Sequence, residues 1–255
     1  MGLALTTDQE IILNSMRVTI AAALLIALLS GCTILRFTRD VPSGTVVFTF
    51  DDGPNAHENT TARLLDVLDR HNVKALFCLI GENVDSHPEL VRRMYRSGHT
   101  LANHGYTDRM ILFQSFRQIE SGLLKCDSSL RRASGEESLH VKYFRPASGW
   151  YRPSTKRLWS GRGMKLVTFC CHGWDAVRGP LQSHSVVTDV VESVRRLQGG
   201  TIVLHDGRDC QARLDREVRK NPLGSYNRSW IPEAVDSIII ALKRDGFRFS
   251  SDLGP

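Results

Sequence analysis

Thr45-Val-Val-Phe-Thr-Phe-Asp-Asp-Gly-Pro54 brings a strand and a chemically loaded turn together. Its first six residues are β-branched or aromatic, the composition of a short buried strand. Gly53-Pro54 then breaks the strand, leaving two carboxylates, Asp51 and Asp52, at its end. Side chains alternate along a strand, so both acids reach one site only if the chain turns there. Adjacent carboxylates repel unless a cation or a donor compensates them. One reading is a metal ligand beside a base. The other is an acidic turn that caps the next element.

Strand-like and helix-like segments alternate outward from this stretch. Leu64, Leu65, Val67 and Leu68 have helical spacing, and Lys74-Ala-Leu-Phe-Cys-Leu-Ile80 reads as a second strand. Pro88 opens a helix that Gly98 stops, and a strand follows near 100–103. Residues 113–133 read as a longer helix, with strands near 141–145, 165–171 and 200–204. A last helix near 233–245 leads to a closing strand at Phe247-Arg-Phe249. Residues 206–230, charged and rich in Gly, Asn and Arg, read as a long surface loop. The alternation predicts an α/β fold with a parallel sheet covered by helices. In barrels of that type chemistry collects at strand ends. The polar clusters follow that rule: Asp51-Asp52, His104, Arg145, Asp175 and His205-Asp206.

His104 and Asp108 are four apart, which on a helix would put an imidazole and a carboxylate on one face. The same spacing is common in capping and surface pairs. His205 ends the β-branched run Gly200-Thr-Ile-Val-Leu-His205. A histidine there can serve as a general acid, or simply bond a neighbouring loop.

Taken together, these segments resemble the polysaccharide deacetylase family, also called the NodB-homology or carbohydrate esterase family 4 group. Thr49-Phe-Asp-Asp-Gly-Pro54 is similar to its first motif, and His87-Pro-Glu-Leu-Val-Arg-Arg93 with Gly98-His-Thr-Leu-Ala-Asn-His104 to its second region. Phe144-Arg-Pro146 resembles the third, and Ile202-Val-Leu-His205 the fifth. The likeness runs over roughly 45–249. It implies a distorted (β/α) barrel of parallel strands with fewer than eight regular units. It also implies a catalytic domain at 45–250 that removes N-acetyl groups from a GlcNAc-type envelope polysaccharide. By the same resemblance Asp51 is the base, and Arg145 holds it. His205 is the acid and Asp175 tunes it. Asp52, His104 and Asp108 bind one divalent metal. Zinc is expected first, with manganese, cobalt or nickel as alternatives. The backbone N–H of Ser148 is expected at the oxyanion, with Val203 against the sugar. Read from the residues alone, Trp150 or Tyr151 either stacks on a sugar or packs the barrel rim.

The chain departs from the family pattern in three places. Asp108 stands where the family has a second histidine, and Gly105 where it has Ser or Thr. An extra carboxylate weakens the Lewis acidity of a bound ion. Arg145-Pro-Ala-Ser-Gly149 replaces the usual Arg-Pro-Pro-Tyr-Gly, and His172-Gly-Trp-Asp-Ala176 is a degraded fourth motif. These losses leave two alternatives open: a glycan-binding pseudoenzyme, or an O-acetyl esterase using the same site.

The start of the chain is of another kind. Met16-Arg17 precedes the apolar run Val18–Leu29, which ends Leu29-Ser30-Gly31-Cys32. A positive start, a short apolar run and small residues mark a secretory signal. The run is shorter than the roughly 18 residues of a membrane span. The Cys ending resembles a bacterial lipobox. Residues 1–31 are therefore expected to be a lipoprotein signal, with translation starting at Met16. Cys32 would be lipidated and residues 32–44 would form a tether. That places the protein at the cell envelope, anchored to the membrane. The chain carries net charge +6 without a long basic run, and export argues against nucleic acid as a partner. Five further cysteines show no Cys-x-x-Cys spacing, so no zinc knuckle or redox pair is signalled. A bridge between Cys126 and Cys210 is open to a protein in an oxidising compartment.

Overall fold

The computed structural model describes residues 33–34 and 41–253. The expected signal segment and Cys32 lie outside them, as does much of the tether. The first strand, β1 (Thr33–Ile34), stands apart from the main sheet. The chain then enters the sheet through β2 (Thr45–Asp51), followed by α1 (Thr60–Arg70) and β3 (Leu76–Leu79). Two short helices, α2 (Gly81–Ser86) and α3 (Pro88–Arg96), lead to β4 (Thr100–Asn103). The long α4 (Phe116–Ser134) leads to β5 (Tyr143–Phe144). Next, β6 (Trp150–Tyr151) pairs with β1, and α5 (Arg157–Ser160) precedes β7 (Lys165–Leu166) and β8 (Cys171–His172). The remainder runs α6 (Ser183–Leu197), β9 (Gly200–His205), α7 (Gln211–Lys220), α8 (Ile231–Arg244) and β10 (Arg248–Ser250).

The main sheet has the order β7-β5-β4-β3-β2-β9-β8, with β10 also paired to β2. Every pairing in it is parallel. It is a curled, incomplete barrel, as the resemblance implies, and β2, paired with β3, β9 and β10, is its hub. Period-two alternation divides the sheet's residues between two cores. Val46, Phe48, Phe50, Phe77, Ile202 and Leu204 face the helices, in the larger cluster with Leu64, Leu68, Ile238 and Leu242. Val47, Leu76, Cys78, Ala102, Tyr143 and Val167 form a smaller cluster on the concave side. Thr49 and Asp51 continue the concave register of Val47, so β2 points its last residue into the barrel mouth.

Several expectations are corrected. The single strand expected at 165–171 is two. Val167 N–H bonds the Phe144 carbonyl, whereas Cys170 N–H bonds the Thr201 carbonyl, so the chain crosses from one end of the sheet to the other. The long helix begins at Phe116, where Ser115 and Gln118 form a capping box. The loop expected at 206–230 contains α7, whose buried Leu214 and Val218 sit four apart among charged residues. That stripe is too narrow to stand out in the sequence. Cys126 and Cys210 are both free thiols, with Cys126 buried and its Sγ 3.4 Å from the Leu79 carbonyl.

Candidate active site

The concave ends of β2, β4 and β9 and the loops after β5 and β8 surround one cavity of about 350 Å³. Asp51 lies in its floor. Arg145, 1% exposed, follows β5 and donates from Nη1 to Asp51 Oδ1 at 2.6 Å. The same nitrogen donates to Thr49 Oγ1 at 2.8 Å, and Nη2 donates to the Thr168 carbonyl at 3.0 Å. A buried guanidinium held by four acceptors has one orientation, and it fixes that of Asp51.

Asp52 reaches the same cavity because its backbone is left-handed, at φ 69°. That turn re-aims a side chain that would otherwise face the helices. It is pinned behind by Asn83, whose Nδ2 donates to the Asp52 carbonyl at 2.9 Å. Gly207 packs so closely on the same carbonyl that a Cβ there would lie 2.3 Å from it.

His104 is 2% exposed. Its Nδ1 donates to the Arg145 carbonyl at 2.7 Å, so Nδ1 carries a hydrogen and Nε2 faces the acids. Nε2 lies 3.2 Å from Asp52 Oδ1 and 3.8 Å from Asp51 Oδ2. Burial opposes the imidazolium, but the two carboxylates outweigh it and raise the pKa. Asp52 is held low: burial works against its charge, and His104 and His205 stabilise it.

On the neighbouring strand His205 is set by Asp175. Asp175 Oδ2 accepts the His205 backbone N–H at 2.8 Å and lies 3.1 Å from Nδ1. Burial opposes a charged His205, yet Asp175, with Asp52 and Asp51 further off, keeps its pKa at about 9. Asp175 is itself kept low despite burial by His205 and by Arg228. Arg228 was not singled out in the sequence. It is 1% exposed and donates to the Asp175 carbonyl at 2.6 Å.

The expected metal triad is only partly assembled. The His104–Asp52 pair fits a divalent cation: a histidine fixed by a carbonyl through one nitrogen presents the other to a carboxylate. Asp108 lines the same cavity, but its Oδ2 accepts the Asp209 N–H at 3.0 Å. Among the described residues no three His, Cys, Asp or Glu side chains are spaced to hold a metal ion. The cause is local. Residues 104–108 are not helical, and Gly105 turns the chain at φ 88°, so the four-residue spacing does not define a shared face. Burial and the nearby Asp52 charge raise the pKa of Asp108.

Ser148 and Val203 line the cavity, Ser148 exposed at its lip with φ 69°. Trp150 is not among the lining residues. It belongs to β6, paired to β1, and Tyr151 packs edge-on against Trp159 at 5.4 Å. The aromatics in the cavity wall are Phe169 and Trp174, the latter 55% exposed and edge-on to His172 at 4.5 Å. The place of Trp174 beside Asp175 was the available signal. Asp206, next to His205 at the same strand end, is fully buried behind the acidic turn. Thr61 Oγ1 donates to its Oδ2 at 2.5 Å, its Oδ1 has no partner among the described residues, and burial pushes its pKa to about 7.

Comparison with known proteins gives a consistent answer. A family model described as polysaccharide deacetylase matches residues 38–167. A chitooligosaccharide deacetylase of Sinorhizobium fredii is 33% identical over 201 residues, covering 76% of this chain and 90% of that protein. A peptidoglycan-N-acetylglucosamine deacetylase of Bacillus cereus is 26% identical over 214 residues, covering 83% and 89%. A family 4 acetyl xylan esterase from Clostridium thermocellum, solved with a cobalt ion, superposes with TM-score 0.64 at 30% identity, covering 81% and 87%. With its barrel, its acidic turn and these matches, the chain belongs to the polysaccharide deacetylase family of hydrolases.

Proposed function

We propose that the chain is a metal-dependent N-deacetylase of a GlcNAc-type envelope polysaccharide, releasing acetate. The observation that carries this reading is the placement of two buried pairs, Asp51–Arg145 and His205–Asp175, at the ends of adjacent strands around one cavity. Arg145 occupies Asp51 Oδ1, so Asp51 Oδ2 is the oxygen left to take a proton from water. An amide nitrogen leaves poorly unless it is protonated. His205, with Nδ1 turned to Asp175, presents Nε2 to that nitrogen. With its pKa at about 9 it holds a proton at neutral pH. A divalent cation held by Asp52 and His104, with Asp108 in the same wall, would supply Lewis-acid polarisation of the acetyl carbonyl and an acidified water. Zinc, manganese, cobalt and nickel all suit an imidazole–carboxylate set. The Ser148 N–H is the proposed oxyanion donor, and Trp174 and Val203 are the proposed walls against the sugar.

The direct test is acetate release from peptidoglycan and chitooligosaccharides, with and without chelator. Release that is lost on chelation and restored by one of these ions is expected. Release that persists without metal removes the cation from the reading, and none across metals and glycans removes the activity. The likeness to an acetyl xylan esterase gives the O-acetyl reading a specific basis, and a matched ester and amide substrate pair separates the two. We also propose the envelope anchor through Cys32. Cys32→Ala should move the protein from the membrane to the soluble fraction, and unchanged membrane association argues against lipidation.

A further inference from the structure

A second pocket, of about 320 Å³, opens beside the catalytic cavity and shares His104 with it. One wall is the loop after β4, carrying Arg109. The other is the first half of α4, where Arg117 and Lys125 stand eight residues apart. Ile119 and Phe144 lie at its base. No carboxylate lines it.

Its three cations are exposed, and among the described residues none has a carboxylate within 4 Å. Lys125 lies over the Tyr106 ring at 5.2 Å. Other arginines nearby are committed: Arg132 to Asp85 at 2.9 Å and Arg162 to Glu120 at 3.1 Å. The flanking acids are equally occupied. Asp85 accepts from Tyr106 and Arg132, and Asp108 accepts the Asp209 N–H. Arg117 also sits in the first turn of α4, which contains no acidic residue. A cation there opposes the positive end of the helix dipole. Three like charges gathered around one hollow that no carboxylate lines, one of them at an unfavourable helix position, make a site that attracts an anion.

We propose that this pocket is a subsite for an anionic group on the glycan, a carboxylate or phosphate on a unit flanking the acetylated sugar. The proposal rests on the glycan reading above. The shared wall at His104 places the charged unit next to the reacting one. The protein would thereby select charged stretches of polysaccharide over neutral ones.

The test is a binding titration of the full chain with three oligosaccharides of equal length. One is neutral, one carries a uronic acid carboxylate and one a phosphate. At low salt the wild type should bind at least one charged chain roughly five- to tenfold more tightly than the neutral one. That preference should fall toward one in the double variant Arg117→Gln, Lys125→Gln, and at high salt. The two charged arms tell which anion is read. Equal affinity for all three, no binding of a charged chain, or a preference that survives in the variant overturns the proposal. Binding is read without turnover, so a protein that prefers charged chains but releases no acetate overturns the activity and leaves the subsite standing. A deacetylase with no preference overturns the subsite alone.

Discussion

The two hollows that meet at His104 handle charge differently. In the catalytic cavity the buried charges come in pairs: Asp51 with Arg145, Asp52 with His104, Asp175 with His205. In the neighbouring pocket Arg109, Arg117 and Lys125 face solvent without a carboxylate among its lining residues. A buried unpaired charge is too costly to keep, so the cavity's geometry is dictated by its pairs. An exposed charge costs little, so the pocket can leave its cations uncommitted until a ligand arrives. Mutations should therefore have large effects in the first hollow and small ones in the second.

The largest effect is expected from Asp51→Asn, which keeps the shape and removes the proton acceptor. Acetate release should fall by about a thousandfold or more. Activity within tenfold of wild type would take the base role from Asp51. Next is Arg145→Met, which leaves a buried carboxylate without its cation. The fold should lose about 3–5 kcal/mol in denaturant unfolding. A loss under about 1 kcal/mol would mean that water screens the pair.

Asp175→Asn is expected to act mainly through pH. The folded His205 titrates near 9, above its ordinary 6.5. Activity that needs its proton should decline as pH rises through about 9. In the variant burial dominates, and that alkaline limb should move down by a unit or more. The same shift has a stability sign. A raised histidine pKa stabilises the fold fully below about 6.5 and loses that contribution as pH rises through about 9. An unmoved limb in Asp175→Asn would show that another group sets it. The smallest effect belongs to the cationic pocket. Arg117→Ala should change unfolding free energy by less than about 0.5 kcal/mol, toward greater stability, because it removes a cation from a helix N-terminus. A clear destabilisation would show that Arg117 has a structural partner and would blur the contrast.

How far the sequence could reach follows the same division. Asp51, Asp52, His104, Arg145 and His205 were legible because each ends or follows a strand within a recognisable short motif. The alternation of strand-like and helix-like segments also foretold the parallel sheet. Asp108 shares the cavity wall with Asp52 and His104, but Gly105 makes the segment a turn, so the helical-face reading of the four-residue spacing does not apply. Of the two readings of Trp150, packing away from the cavity is the one its strand pairing with β1 supports. Arg228 and α7 were hidden in a stretch whose charge density reads as loop. The cationic pocket has no local signature, since Arg109 comes from a loop and the other two from a helix that only the fold brings beside it.

The register of the central ladder has a longer consequence. Asp51 and His205 are partners across the β2–β9 pairing. Parallel neighbours lie roughly 4.8 Å apart, and paired residues leave the sheet on the same side. The Cα spacing of these two groups is thus set by the backbone, as on a ruler, and Arg145 and Asp175 hold the side chains that extend from it. Substitutions around the mouth can change which sugar enters without altering that gap. Altering the gap needs a backbone insertion or deletion in a strand, and a one-residue slip there turns every side chain to the opposite face. Descendants of this chain should therefore vary readily in what they accept at the rim, while the size of the group they cut stays fixed.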